Sequence, residues 1–114
     1  MAFPSPAMDY VQSPLNLHDY LVDHPSATFF FRVEGENGRF LGFSPGDVLV
    51  VDRSLDFTHT QVAIAVYEGQ FRVVQLFREY QDVMVRFSQR SILLLAELDI
   101  EIWGIATGFV RRLA

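Results

Sequence analysis

The chain has no lysine and no cysteine, and all nine of its positive side chains are arginines. Without cysteine it can form neither a disulfide framework nor a cysteine-ligated zinc site. Without lysine it has no side-chain amine that could act as a catalytic base. No apolar run approaches the ~20 residues of a membrane span. No basic and apolar leader precedes Pro4, so we expect neither a membrane helix nor a secretory signal.

Charge and histidine content narrow the possible ligands. The formal net charge is −5, and only Arg111 and Arg112 are adjacent cations. Because phosphate neutralisation needs clustered basic residues, we expect no direct nucleic-acid binding, while binding to another protein stays open. His18, His24 and His59 are too scattered to predict a metal site, and no cofactor motif is present. Their expected roles are structural or at the surface.

The N-terminal part predicts an extended arm followed by one short helix. Phe3-Pro4-Ser5-Pro6 cannot be helical, which makes residues 1–13 an arm. Ser13-Pro14 suits a helix start, with serine as the N-cap and proline in the first turn, and Pro25 ends the helix. Its apolar residues share one face: Leu17, Tyr20 and Leu21. Residues 14–114 should form a single domain, since the chain has 114 residues and eleven phenylalanines.

After Thr28 the pattern predicts a mainly β domain. Short apolar segments alternate with turn signals, and Glu68-Gly69 predicts a tight hairpin. The last segment, Ile100 to Val110, is interrupted by Gly104 and Gly108. The predicted strands are 29–33, 48–51, 62–67, 71–77, 82–87, 92–95 and 100–110.

Two carboxylates and one serine–histidine pair are candidate catalytic groups. Asp47 and Asp52 flank one strand and could work as paired acid and base. Asp47 ends a Ser-Pro-Gly-Asp turn, however, where aspartate commonly bonds its own backbone, so a structural role is favoured. Ser44 and His59 could form a hydrolase pair, but nothing in the sequence places them together.

Aromatic and basic clusters allow two interpretations each. Phe29 and Phe31 point to one face of a strand and Phe30 to the other. Core packing is favoured, with an interface as the alternative. Arg111 and Arg112 are expected to form a solvated end, with a salt-dependent contact to a partner as the alternative.

Several segments together resemble the UmuD/LexA group of self-cleaving proteins. They are His24-Pro25-Ser26-Ala27-Thr28, Gly35-Glu36-Asn37-Gly38 and the stretch from Ser44-Pro45-Gly46-Asp47 to Val51-Asp52. Phe3-Pro4-Ser5-Pro6-Ala7 is similar to the segment after the family's cleavage point. Glu68-Gly69, Phe71, Val73 and Leu76 fit its central strands. The resemblance implies a compact LexA/UmuD-like β domain of the S24 peptidase type.

Family members carry a catalytic Ser–Lys pair that this chain lacks. The resemblance places the serine at Asn37 and the lysine at Val74, and a family methionine at Gly38. Asparagine has no ionisable nucleophile, and valine cannot serve as a base. We therefore expect no peptidase activity. Met1-Ala2 stands at the cleavage junction, so we expect a chain made in the processed form.

The resemblance implies an accessory role in SOS mutagenesis and translesion synthesis. The expected partners are a second copy in a homodimer, a UmuC-like Y-family DNA polymerase and the RecA filament, in the bacterial cytoplasm. An alternative is a regulatory dimerisation module that binds LexA-type repressors or UmuD-like proteins. A hydrolase that uses other residues is a third hypothesis. The candidate interface residues are Phe3, Tyr10, Val11, Trp103 and Phe109.

Overall fold

Short apolar strands separated by turns build one antiparallel sheet in the computed structural model, which describes residues 16–114. The strands are β1 (Thr28–Arg32), β2 (Val48–Asp52), β3 (Gln61–Tyr67), β4 (Gln70–Glu79), β5 (Asp82–Arg86), β6 (Ile92–Leu94) and β7 (Ile100–Val110). Their order in the sheet is β1-β2-β7-β3-β4-β5-β6. The mainly β fold predicted from the sequence is therefore confirmed, with each predicted strand present.

The hairpin at Glu68 and Gly69 is also confirmed. Tyr67 pairs with Gln70, so only these residues separate β3 from β4. Both adopt positive φ, 51° at Glu68 and 75° at Gly69. A two-residue turn of this kind matches the right-handed twist of the strands it joins. The hairpin fixes which main-chain groups of β4 face β3 and which face away.

A short helix precedes the sheet. Helix α1 (Leu17–Leu21) begins at Asn16, whose side chain accepts a hydrogen bond of 3.2 Å from the Asp19 amide. The predicted start at Ser13-Pro14 lies outside the described residues, as does the arm over residues 1–13. Leu17 and Tyr20 are exposed, so the expected apolar face is only partly used. Val22, which directly follows the helix, is buried.

Two apolar clusters share the sheet and supply the core. One contains Ala63, Ala65, Val74, Leu76, Val85, Phe87 and Ile105. The other contains Val33, Leu49, Val51, Ile64 and Val73. Since consecutive residues of a strand point to opposite faces, Val73 and Val74 enter different clusters. The clusters therefore cover both faces of the central strands.

The last strand is continuous through Gly104 and Gly108, which confirms the strand predicted over 100–110. β7 absorbs register shifts against β2 at Val50/Val51 and against β3 at Ile64/Ala65. A Cβ at position 104 would lie 2.5 Å from Val51 Cγ1, so Gly104 leaves space for a core side chain. Glycine here accompanies a bulge and a close approach between strands.

The prediction that the three consecutive phenylalanines pack in the core is correct only in part. Phe31 packs against the cluster around Val33, as expected. Phe29 and Phe30 remain 44% and 60% exposed. β1 is an edge strand, and Phe30 points to the opposite face from Phe29, so aromatic surface remains on both faces of β1. Within residues 16–114 no helix has the length and hydropathy required to cross a bilayer.

Candidate functional site

The loop after β1 brings Asn37 against the first half of β4. Asn37 Oδ1 accepts a hydrogen bond of 2.7 Å from the Val73 amide, and Nδ2 donates one of 3.1 Å to the Phe71 carbonyl oxygen. Gly35 and Gly38 both adopt positive φ, 57° and 76°, and give the loop its tight path. The Asn37 amide thus bonds two main-chain groups of one strand.

The bonds of Asn37 follow from the strand pairing. Gln70 pairs with Tyr67 next to the turn, so alternate residues of β4 direct their main-chain groups toward β3 and the others away from it. Phe71 and Val73 belong to the second set. β5 pairs with β4 only from Gln75 to Glu79. Asn37 therefore takes the position that β5 would occupy if it were longer.

Gly38 fixes the approach of this loop to β4. A Cβ at Gly38 would lie 2.9 Å from Val73 Cγ1 and 3.1 Å from Phe43 Cδ2. Its φ of 76° is also one that side chains rarely adopt. The present conformation consequently accepts no side chain at position 38. Asn37 and Gly38 together form the contact that we call the Asn37 clamp.

Val74 lies one residue beyond the clamp, with its side chain fully buried in the cluster around Ala63 and Leu76. A valine there adds apolar packing and no ionisable group. The sequence placed Asn37 and Val74 at the two positions of a catalytic pair, and the structure brings Asn37 within one residue of Val74. The residues present can bond main-chain groups but offer neither a nucleophile nor a base.

Asp47 is held in an ion pair that the sequence did not reveal. Its carboxylate is buried and accepts hydrogen bonds from Arg111 Nε at 2.9 Å and Nη2 at 2.7 Å. It also accepts a hydrogen bond of 2.9 Å from the Ser44 amide, which confirms the predicted turn. Arg111 and the Ser44 amide lower the pKa of Asp47 to about 2. Arg111 and Arg112 are exposed, as expected for a solvated end. The sequence did not predict that Arg111 also bonds Asp47, because local sequence gives no signal for a partner 64 residues away.

Asp52 forms a second buried carboxylate site with His24 and Ser54. Its carboxylate oxygens accept hydrogen bonds from the Ser54 amide at 2.8 Å and from the Ser54 hydroxyl at 2.6 Å. A third hydrogen bond joins the carboxylate to His24 Nδ1. Burial raises the pKa of Asp52, but the hydrogen bonds from Ser54 and His24 outweigh it, so the net shift is downward. The hydrogen bond to Asp52 raises the pKa of His24. Histidine and serine both contact the carboxylate, which differs from a catalytic triad, where histidine contacts the serine hydroxyl.

The other candidate groups stay apart. His59 bonds the Thr58 hydroxyl at 2.8 Å, while Ser44 contributes its amide to Asp47. His18 lies 3.8 Å from Asp19 at the exposed helix. Over the described part of the chain, histidine and carboxylate side chains form no group large enough to hold a metal ion.

An aromatic patch covers one face near the clamp. Trp103 contacts Phe29 and Phe71 edge to face, with ring centroids 5.2 and 5.6 Å apart, and Phe71 also contacts Phe31. Arg53 stacks over Trp103 at 4.3 Å. Phe71 is 48% exposed. The sequence predicted Phe71 to be a strand residue but gave no sign that its side chain would be exposed. The interface candidate Trp103 is therefore half-buried within a patch that Phe29 and Phe71 extend.

The remaining interface candidates differ in their status. Phe109 is 47% exposed near the end of β7 and contacts Phe43 at 5.2 Å. Phe3, Tyr10 and Val11 lie outside the described residues. Their part in an interface stays a prediction.

These features define a small β domain with a peptidase-like framework and no ionisable pair at the clamp. Residues 1–89 match the Peptidase S24-like family. The protein MucA of Salmonella typhimurium is 40% identical over 111 residues, which are 92% of this chain and 74% of MucA. The protein ImpA of Salmonella typhimurium is 36% identical over 111 residues, 96% of this chain and 77% of ImpA.

A more distant match is the LexA repressor of Psychromonas ingrahamii, 35% identical over 92 residues that cover 77% of this chain and 44% of the repressor. The chain therefore belongs to the Peptidase S24-like family, as a UmuD-like member. Its relatives belong to the SOS-related part of that family, and the resemblance found in the sequence is confirmed.

Proposed function

We propose that the chain is a peptidase-inactive, UmuD-like accessory subunit that acts by binding other proteins. The observation that carries this proposal is the Asn37 clamp, in which the position expected for the nucleophile bonds Phe71 and Val73 instead. The chain also contains no lysine at any position. A Ser–Lys mechanism needs a hydroxyl nucleophile and a desolvated amine, and both are missing.

The surrounding framework is retained, and this favours binding over a loss of all function. The Asn37 clamp forms short hydrogen bonds to main-chain groups. The apolar side chain of Val74 occupies the position expected for the base and packs in the core. Aromatic surface remains exposed at Phe29, Phe71 and Phe109. Such patches on a small domain are typical of protein interfaces. The partners we propose are a second copy, a UmuC-like Y-family polymerase and the RecA filament, in the cytoplasm.

The absence of self-cleavage can be tested directly. We expect one unchanged intact mass after incubation at alkaline pH or with RecA filaments on single-stranded DNA. An active family precursor, incubated in parallel, is the positive control. A specific truncation product from this chain would contradict the inactive-subunit proposal, and so would cleavage of an inactive precursor added in trans.

The accessory role needs a binding test. A tagged version of the full chain should retain a co-expressed UmuC-like polymerase, and RecA filaments should compete for it if both use overlapping surfaces. The Asp56→Ala variant, altered at an exposed loop residue, serves as the control for the tagged chain. Failure to retain any polymerase, with folded protein verified by circular dichroism, would argue against this role.

The N-terminal arm is part of the same proposal. Phe3, Tyr10 and Val11 are the apolar side chains by which the arm could contact a partner. Deletion of residues 2–11 should shift the Tm by less than the ~4–8 °C that accompanies a loss of 1 kcal/mol in a domain of this size. The same deletion should weaken polymerase capture. A large fall in Tm with unchanged capture would mean that the arm is structural.

The similarity to a LexA repressor supports a second candidate function. In this alternative the chain is a regulatory module that pairs with LexA-type repressors or UmuD-like proteins. Capture of the repressor in preference to the polymerase, in a mixture with equal concentrations of both, would favour it.

A further inference from the structure

Three arginines surround one shallow groove, which we call the arginine groove. It lies between the turn at Arg39–Leu41, the start of β4 and the loop after β5, and its volume is about 610 Å³. Phe40 and Phe87 supply its apolar surface, and Glu36 is its single carboxylate. The charged guanidinium groups come from Arg39, Arg72 and Arg90.

Local contacts hold the Arg72 side chain and the main chain that carries Arg90. The Arg72 guanidinium stacks 5.4 Å from the ring centre of Phe87, which is itself 7% exposed. The loop that carries Arg90 is closed by Ser88, whose hydroxyl accepts hydrogen bonds from the Arg90 and Ser91 amides. This arrangement reduces the conformational freedom that a ligand would otherwise have to restrict.

The third arginine, Arg39, can exchange its ion-pair partner. Arg39 bonds Glu36 at 2.9 Å, but both side chains are highly exposed, 74% and 82%. Exposed ion pairs of this kind contribute little to stability, typically about 0–1 kcal/mol. A carboxylate brought by a ligand can therefore replace Glu36 on Arg39 at small loss.

The charge of the groove contrasts with that of the chain. The groove has three arginines against one glutamate, whereas the whole chain has a formal net charge of −5. Guanidinium groups bind carboxylates in a planar, often bidentate geometry. Phe40 is half-buried and adds surface for an apolar side chain between the acidic residues, whereas Phe87 is almost fully covered. The net negative charge repels any polyanion at low salt, and it repels a nucleic acid more than a short acidic segment because the phosphates continue well beyond the groove.

We propose that the arginine groove binds an extended acidic segment of a partner protein that also carries an apolar side chain. The groove adjoins the clamp, since Glu36, Arg72 and Phe87 also line the depression around Asn37. The inference deepens the proposed function. It depends on that function in one respect, namely that the chain binds another protein. It specifies which surface is used and what chemistry the partner segment has.

The direct test uses a fluorescein-labelled peptide of alternating glutamate and phenylalanine with the full chain. Fluorescence anisotropy should show saturable binding that weakens as salt is raised, because salt screens exposed charges. The peptide with glutamine in place of glutamate should bind at least about tenfold more weakly. Equal binding of the two peptides would overturn the proposal.

Charge reversal locates the site. Arg72→Glu with Arg90→Glu should weaken peptide binding by roughly tenfold or more. Arg78→Glu is the matched control, since Arg78 is also on β4 and stacks on a ring, Phe57 at 5.1 Å, but does not line the groove. Arg90→Glu alone lies in an exposed loop and remains informative if the Arg72 change unfolds the protein. An equal loss with Arg78→Glu would contradict the proposed site.

Two further outcomes separate this inference from its alternatives. If oligothymidine binds in the groove and the acidic peptide does not, the proposed chemistry is wrong. If Arg90→Glu abolishes peptide binding but leaves capture of the polymerase unchanged, the groove does not serve that partner, and the accessory role stands. If the wild-type chain binds the peptide but captures no polymerase, the accessory role fails and the groove assignment stands.

Discussion

At Asn37 a single side-chain amide satisfies a main-chain donor and a main-chain acceptor of β4. A serine hydroxyl is shorter and has only one oxygen, so it could not reproduce both bonds in the same geometry. The substitution expected to remove a nucleophile therefore also adds a structural contact. Gly38, with no room for a side chain beside Val73, allows the loop to come close enough for that contact.

The first prediction concerns the strength of the clamp. Asn37→Ala removes both bonds and should lower the free energy of unfolding by about 1–2 kcal/mol, because two polar main-chain groups lose their partner. Hydrogen exchange at the Val73 amide should become faster, as measured by NMR. Gln81→Ala, which changes an exposed amide in the turn after β4, should alter neither quantity. Unchanged exchange at Val73 in Asn37→Ala would show that the clamp does not form in solution.

The second prediction concerns pH and the His24–Asp52 pair. The pKa of His24 is raised above its ordinary value of 6.5 by the hydrogen bond to Asp52. The folded state therefore binds the proton more tightly than the unfolded chain does. This contribution is complete below pH 6.5 and is lost as the pH rises through the raised pKa.

The Tm of the wild-type protein should accordingly fall as the pH rises above 6.5. His24→Gln keeps a polar side chain but cannot titrate, and its Tm should change less over the same range. His59→Gln is a matched control with a histidine outside this pair, and it should retain the wild-type slope. Parallel profiles for the wild type and His24→Gln would exclude the pair as the source of the pH dependence.

At the level of secondary structure, β7 joins parts of the chain that are distant in sequence. It lies between β2 and β3, and Val48 pairs with Val110. Arg111 continues this strand and bonds both Asp47 and the Gly42 carbonyl oxygen, at 2.9 Å in the latter case. The ion pair thus fixes the end of β7 to the turn that precedes β2.

The third prediction tests this ion pair. Arg111→Ala leaves the buried carboxylate of Asp47 without its charged partner, and the Tm should fall by roughly 4–8 °C. Arg112→Ala removes a neighbouring exposed arginine and should change the Tm little. Since the pKa of Asp47 is lowered to about 2, the difference between the two variants should persist down to about pH 4. Equal Tm values at neutral pH would contradict the structural role of Arg111.

Local sequence was sufficient to predict most strands but not their long-range contacts. The hairpin at Glu68-Gly69 and the strand predicted over 82–87 depend on neighbouring residues, and both were predictable. The insertion of β7 between β2 and β3 depends on pairing across the chain, which no local pattern encodes. The same limit applies to the sites: the turn at Asp47 was predicted, whereas its contact with Arg111 was not.

The candidate catalytic positions were assigned on a different basis and stay a prediction. Asn37 and Val74 were located by resemblance to a family pattern, and the fold brings Asn37 next to Val73. What Asn37 does there depends on β5 ending its pairing at Gln75, which leaves Phe71 and Val73 accessible. Strand length in the neighbouring hairpin decides this, and sequence patterns predict such boundaries least well.

At the scale of the whole molecule, the end of β7 offers a route by which two copies can associate. β3 pairs with β7 only from Ile100 to Ile105, whereas β2 pairs with it from Ile105 to Val110, so within the described residues no strand pairs with the other edge of residues 106–110. A dimer that uses the end of β7 can therefore use this main-chain edge as well as side chains. The exposed apolar residues there are Phe109 at 47%, Val110 at 41% and Leu113 at 93%.

The last prediction is that these side chains form a dimer interface. Sedimentation at micromolar concentration should give about twice the monomer mass of 13.1 kDa. Phe109→Glu places a charge in the apolar surface and should shift the protein toward the monomer, while the Tm changes less because Phe109 is already half exposed. Phe30→Glu is the matched control, since Phe30 is exposed on the edge strand β1, at the far side of β2. Dissociation by Phe30→Glu alone would move the interface to β1, and a monomeric wild-type protein would rule out the homodimer.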